Sequence, residues 1–264
     1  MTVSTDSIIV EKSDGIGRLI FNQPQKHNAI SFEMWRGVSE ATADFATDDS
    51  VRVIVLSGAG EKAFSAGADI SQFAEMRACA ESIEEYDRIA LEAEEDLIHI
   101  VKPTIAMIQG YCIGGGAGVA LCCDIRIASE DARFGIPAAK LGLAYSWDDL
   151  YPLVQLVGAS FAKEILFTGR QFSAAEALAM GFVNRVVPRS ELESSVEDYA
   201  TRIASNAPLT IRAAKRTIEE ALKDPEDRNF ELVGELVDKC FASDDYVEGR
   251  KAFMEKRKPE FKGR

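Results

Sequence analysis

The segment Gly110 to Asp124, "GYCIGGGAGVALCCD", carries three consecutive glycines and a fourth two residues on, at the head of an apolar run. Glycines there strip side chains from the first turn of a helix, where backbone N–H groups are unpaired and the dipole is positive. The chemistry this allows is close contact with an anion. A phosphate loop needs G-x-x-x-x-G-K-[ST]; Gly110 and Gly115 have the spacing, but Gly116 and Ala117 stand where the Lys and the hydroxyl must be. A dinucleotide fingerprint counted from Gly114 fails at Val119. What remains is stabilisation of the oxyanion of an acyl group or thioester, which calls for a second N–H donor. The segment "FSAGADI", Phe64 to Ile70, offers one: Gly67 permits an unusual turn and Ala68 presents its N–H. On composition alone the alternative stays open that both segments are tight turns packing against their neighbours.

The elements that must position these loops read as follows. "SIIVEKSDGIGRLIF" alternates around a Ser-Asp-Gly turn and predicts a hairpin; "NQPQKHNAIS" is a loop entering a helix from about Ser31 to Phe45. "VRVIVLSG" is a buried strand ahead of the loop "AGEKAFSAGAD", and Ile70 to about Ile100 is a Glu- and Ala-rich helical stretch. "KPTIAMIQG" is a second buried strand running into the glycine cluster. "IRIAS" and "ARFGI" are short strands, and from about Asp148 the pattern is helical apart from "FVNRVVP". Strand, loop and helix recurring in this order, with β-branched non-alternating strands, predict an α/β fold with largely parallel sheets. The C-terminal third reads as a helical subdomain.

The chain has 264 residues, 47% of them hydrophobic, enough to fill a sizeable core. A formal net charge of −13 argues against nucleic acid as a partner. No run approaching the roughly 18 to 20 apolar residues of a membrane span is evident, and "MTVSTDSIIVEKSDG" has neither the basic start nor the apolar stretch of a signal peptide; a cytoplasmic location without membrane association is the expectation. Cys79, Cys112, Cys122, Cys123 and Cys240 contain no C-x-x-C pair, and with only His27 and His99 beside them no metal-site spacing arises, so reduced, mostly buried thiols and no metal are expected. His99 is expected to pack on its helix. The most basic stretch, "GRKAFMEKRKPEFKGR", is a solvated helix end or a local contact for a small polyanion.

In order along the chain, "NQPQKHNAIS", "VRVIVLSGAGEKAFSAGADI", "KPTIAMIQGYCIGGGAGVALCCDIRIAS", "ARFGIPAAKLGL", "EALAMGFVNRVVP", "APLTIRAAK" and "SDDYVEGRKAFMEKRKPEFKG" resemble the crotonase superfamily, the enoyl-CoA hydratase/isomerase family. The resemblance implies the crotonase-like fold, a spiral of ββα units over about residues 1–200, with a C-terminal helical trimerisation region over 201–264. It implies a homotrimer or homohexamer acting on an acyl-CoA thioester through an enolate held by two backbone N–H groups. By position those donors are Ala68 and Gly115. No separate cofactor is implied, because coenzyme A enters with the substrate. Its contacts are implied at Lys26, His27 and Ala29, at Ala66 and Asp69, and, from a neighbouring subunit, at Phe253 and Lys256.

The chain departs from the family where hydratases carry two glutamates: Gly118 and Ala138 occupy those positions. Loss of a general acid or base removes roughly two to four powers of ten in rate, so hydration by the two-carboxylate route is not expected. Replacement groups are sought in "KLGLAYSWDDL". There Tyr145 matches the tyrosine of the methylmalonyl-CoA decarboxylase branch, although that branch has His at the position of Ala68. Decarboxylation asks least of such a site, since loss of CO2 itself generates the enolate; Tyr145 would position the leaving carboxylate or return the proton. Asp148 or Asp149, turned inward, would instead serve a hydratase or isomerase, whereas a helix cap and first-turn charge are their structural reading. A catalytically silent acyl-CoA binder is the remaining alternative.

Overall fold

The computed structural model describes residues 6–69 and 80–264, so Cys79 and the first ten residues of the expected Ile70–Ile100 helix lie outside the described residues. Strands β1 (Ile8–Ser13) and β2 (Ile16–Phe21) form the expected antiparallel hairpin. Its two turn residues, Asp14 (φ 52°) and Gly15 (φ 83°), are both left-handed, the twist that suits a two-residue turn between strands. Helix α1 (Phe32–Thr47) starts at Ser31, whose hydroxyl accepts from the Met34 N–H. β3 (Val53–Gly58) is buried at every residue. After it come β4 (Ala63–Ser65), α2 (Ala80–His99), β5 (Thr104–Ile108), β6 (Tyr111–Ile113) and α3 (Gly115–Leu121). β7 (Ile125–Ser129), β8 (Arg133–Gly135) and the short α4 (Ala138–Leu141) repeat that order.

The β1-β2 hairpin and the first strand of each later unit (β3, β5 and β7) join β10 in a six-stranded sheet, β1-β2-β3-β5-β7-β10, parallel apart from the hairpin. The second strands of those later units, β4, β6 and β8, form a four-stranded sheet with β9, in the order β4-β6-β8-β9. Repetition of strand, strand and helix is the expected ββα spiral. Strands β4, β6 and β8 have three residues apiece, too few for an alternating pattern to show, so of the three only β8 reads as a strand in the sequence.

Helix α5 (Trp147–Thr168) lies where the pattern turns helical at about Asp148. It is long and apolar enough to meet the length and composition of a membrane span, contrary to the sequence reading. It is not one continuous helix, however: Gly158 (φ 74°, ψ 162°) breaks it, Pro152 lies within it, and Leu153, Val157, Ala162 and Ile165 face the core. β9 (Phe172–Ser173), α6 (Ala174–Met180) and β10 (Arg185–Val187) then complete the sheets.

The main core lies between the two sheets and α1, with Phe21, Phe64, Phe134, Phe172 and Phe182 fully buried. A second cluster covers the other face of the large sheet, where Leu192, Val196, Ala200 and Ala204 of α7 (Leu192–Ser205) pack on Ile16, Val53, Val55, Ile105 and Ile127. Burial on both faces is why β3 and β5 read as continuous apolar runs. The boundary expected at residue 200 falls inside α7. Beyond it, α8 (Pro208–Leu222), α9 (Phe230–Phe241) and α10 (Asp244–Glu255) form the helical region. The tail folds back on it: the Asp245 carboxylate accepts from the Lys262 and Gly263 N–H groups, and Arg52 donates to the carbonyls of Ala204 and Phe261.

Candidate functional site

The site begins with how one loop is stitched to another. Segment 27–30 pairs with segment 66–69: Ala66 N–H donates to His27 O (2.9 Å), Ile30 N–H to Gly67 O (2.7 Å) and Asp69 N–H to Ile30 O (2.9 Å). In such a parallel bridge alternate residues use their polar groups on the partner, and the residue between them faces the other way. That residue is Ala68, whose N–H donates to no protein group among the described residues. Gly67, at φ 94°, makes the turn, and its own N–H is held by the Ser65 hydroxyl at 3.1 Å.

The second loop runs from β6 into α3. Gly114 (φ 55°, ψ −124°) turns the chain in a conformation side chains rarely adopt, anchored by its N–H on Gly135 O at 2.8 Å. Gly115 follows as the first helical residue, and its N–H is likewise without a protein acceptor among the described residues. The two loops meet. A methyl group placed on Gly115 would sit 3.7 Å from the Ala68 nitrogen, one on Gly67 would sit 3.2 Å from the Gly115 nitrogen, and one on Gly116 would press on Ser65. Glycine is thus required at Gly67 and Gly116, where the loops touch, and the two free N–H groups open onto one space. One wall of that space is Trp35 of α1, 4.0 Å from the same methyl position, with its Nε1–H donating to the Tyr86 hydroxyl of α2 at 3.0 Å.

Other expected residues are placed as follows. Lys26 Nζ donates to the buried Asp69 carboxylate at 2.7 Å, and the Lys26 side chain remains about half exposed at the mouth of this loop pair. His27, in a left-handed turn, stacks on Tyr111 with ring centroids 6.1 Å apart, and Ala29 N–H closes the turn on Lys26 O. Phe253 and Lys256 lie at the exposed end of α10, which packs on α9 and the C-terminal tail rather than on the loop pair. Part of the basic tail is neutralised at home, Arg257 pairing with Glu248 and Glu255.

Around Gly118 the candidate acid and base groups are placed as follows. Asp148 is exposed to solvent. Asp149 closes a capping box, accepting from the N–H and hydroxyl of Ser146 at 2.8 Å each, while the Ser146 hydroxyl accepts from Asp149 N–H. Tyr145 packs against the core edge, and burial, with Asp149 and Glu94 nearby, raises its phenol to about 12, so it stays a neutral donor. His99 is exposed at the end of α2, contrary to the packed position expected. Cys112, Cys122 and Cys123 are buried free thiols, and Cys240 is partly buried.

Glu94 is the residue that sequence reasoning missed. Its Oε1 lies 3.1 Å from where a side chain would begin on Gly118. No hydrogen bond or ion pair among the described residues holds it, and burial first, then the Asp149 charge, raises its carboxyl to about 8. The available signal was its stripe on α2: Ala90, Glu94 and Ile98, spaced by four, flank the buried Ile89, Ala93 and Leu97, so one carboxylate interrupts a half-buried apolar line.

Comparison with known proteins gives consistent results. Residues 11–264 match the family model described as enoyl-CoA hydratase/isomerase. The chain is 36% identical to a short-chain-enoyl-CoA hydratase of Clostridium acetobutylicum, over 98% of this chain and 99% of that protein. It is 34% identical to a carnitinyl-CoA dehydratase of Salmonella paratyphi A, over 98% and 100% respectively. Among solved structures, an enoyl-CoA hydratase/carnithine racemase from Magnetospirillum magneticum superposes with a TM-score of 0.92 at 38% identity, covering 99% of this chain and 97% of that one.

Proposed function

The chain belongs to the enoyl-CoA hydratase/isomerase family, and from that premise we propose that it binds an acyl-CoA thioester with its carbonyl oxygen between the Ala68 and Gly115 N–H groups and carries the substrate through an enolate. The supporting observation is the convergence of two free N–H groups from separate loops on one space. Negative charge grows on the oxygen as the enolate forms, so donors fixed in advance stabilise the transition state more than the ground state. The Lys26–Ala29 and Ala66–Asp69 segments, being one hydrogen-bonded unit with that hole, are positioned to hold the coenzyme A part. Phe253 and Lys256 serve as further contacts only if a second subunit brings them there. The exposed apolar side chains Phe230, Phe241, Phe253 and Met254 fit the self-association as a trimer or hexamer that we propose with it.

For the reaction itself we favour proton transfer at the carbons beside the thioester, as in hydration, dehydration or double-bond migration. Decarboxylation is the second reading, favoured by the apolar residues at Gly118 and Ala138 and by the neutral phenol of Tyr145. Against it, a leaving carboxylate near Tyr145 would face the negative charge of Asp149. Turnover of crotonyl-CoA, a 3-enoyl-CoA and methylmalonyl-CoA by the wild type, Tyr145→Phe and Asp148→Asn separates these readings. Turnover of an enoyl thioester with Asp148→Asn unaffected is expected. Loss of CO2 from methylmalonyl-CoA as the main activity, abolished in Tyr145→Phe, would establish the second reading instead.

A further inference from the structure

We propose that Glu94, reaching from α2 to the bare backbone of Gly118, is the group that moves protons to and from the substrate carbon in this site. The inference rests on the acyl-CoA reading above. Gly118 lies three residues after Gly115, so both are on one face of α3, one helical turn and about 5 Å apart. The α- and β-carbons of a thioester are one and two bonds from the carbonyl carbon, so a substrate whose carbonyl oxygen meets the Gly115 N–H and whose acyl chain runs toward Gly118 brings them to that face. No side chain fills the space at Gly118, and Glu94 Oε1 stands 3.1 Å from where one would start. A carboxyl group is thereby delivered from a different helix to the place where this chain lacks its own.

The surroundings suit the task. The titratable groups that face Glu94 are Asp149 from α5, Tyr145 from the preceding loop and Cys122 from the end of α3. No cation among the described residues stabilises its charged form. Asp149 is fixed by Ser146, so it acts as a stationary negative neighbour that keeps the Glu94 proton in place near neutrality. In the forward sense the Glu94 O–H bond breaks, the electron pair of the enolate C=C forms the new C–H bond at the α-carbon, the C=O is restored, and Glu94 is left as a carboxylate. In reverse the carboxylate takes the α-proton, the C–H pair becomes the enolate C=C, and the carbonyl pair moves onto the oxygen held by Ala68 and Gly115. No other reactant is needed.

The test is exchange of the α-protons of butyryl-CoA with deuterated solvent, followed by proton NMR across pH, with binding measured by calorimetry. Wild-type exchange should rise with pH and level off above about 8, where Glu94 becomes the base. Glu94→Gln should bind butyryl-CoA as the wild type does but exchange it roughly 10²- to 10⁴-fold more slowly, without that midpoint. Glu94→Asp should restore part of the rate with the midpoint displaced. Gly115→Ala should lose exchange through the hole instead. Wild-type exchange and midpoint in Glu94→Gln, with Gly115→Ala inactive, would overturn the role of Glu94 and leave the acyl-CoA reading standing. Failure of the wild type to bind butyryl-CoA would overturn both. Should Glu94→Gln not fold, an unchanged rate and midpoint in Glu94→Asp would be the contradicting result.

Discussion

Gly115 has two requirements to meet, an exposed N–H and an empty space in front of it, and they can be separated by one methyl group. There is room for that methyl within the protein, since its nearest neighbour would be the Ala68 nitrogen at 3.7 Å. Gly115→Ala should therefore fold with an unchanged unfolding transition, while the methyl takes the place of the thioester oxygen and kcat/KM falls about 10²- to 10³-fold, the usual effect of losing one oxyanion donor. Retained turnover in the folded variant would contradict the assignment. Glu94 carries a separate prediction through stability. Its carboxyl keeps its proton to about 8 in the folded chain, against 4.5 ordinarily, so the native state binds more protons than the unfolded state between those values. Stability contributed by this group is then full below about pH 4.5 and is lost as pH rises to about 8. Glu94→Gln should gain stability relative to the wild type between pH 5 and pH 8 in urea unfolding; a pH-independent difference would count against the desolvated, unpaired carboxyl.

At the level of elements, the site depends on α1 and α2 being locked together beside the loop pair. Trp35 and Tyr86 are both nearly fully buried, and the indole N–H has the Tyr86 hydroxyl as its acceptor at 3.0 Å. Tyr86→Phe leaves that N–H stranded and should cost about 1 to 3 kcal/mol in chemical denaturation; a neutral result would mean another acceptor serves the indole. The two glycine loops were legible in the sequence because glycine is the residue that fits at Gly67, Gly114 and Gly116, and such a requirement leaves a mark on composition. The cap and first-turn reading of Asp148 and Asp149 matches the capping box that Asp149 closes with Ser146. Glu94 was not, since it is 24 positions from Gly118 and only tertiary packing of α2 against α3 brings them together. Nor were β4 and β6 legible as strands: three residues each carry no period, and their pairing is fixed by the large sheet beside them.

Over the whole molecule, the candidate site and the helical end differ in how far one chain completes them. The loop pair, Trp35 and Glu94 are assembled within one chain. By contrast α9 and α10 bury no large apolar side chain among the described residues, and they show Phe230, Phe241, Phe253 and Met254 to the outside. Apolar surface on that scale calls for a partner, and a second copy would also bring Phe253 and Lys256 to a neighbouring acyl-CoA site. Light scattering should give a mass three or six times that of the 28.9 kDa chain; a single-chain mass at working concentrations would contradict the assembly.

The central claim, that Ala68 and Gly115 polarise a thioester carbonyl, is tested most directly by isotope-edited infrared spectroscopy of butyryl-CoA labelled with ¹³C at the carbonyl. On binding to the wild type the C=O stretch should move to lower frequency than in water, because two fixed N–H donors draw charge onto the oxygen, and in Gly115→Ala the bound ligand should lose most of that displacement. A carbonyl frequency in the wild-type complex equal to that in water, or a displacement unchanged by Gly115→Ala, would contradict it.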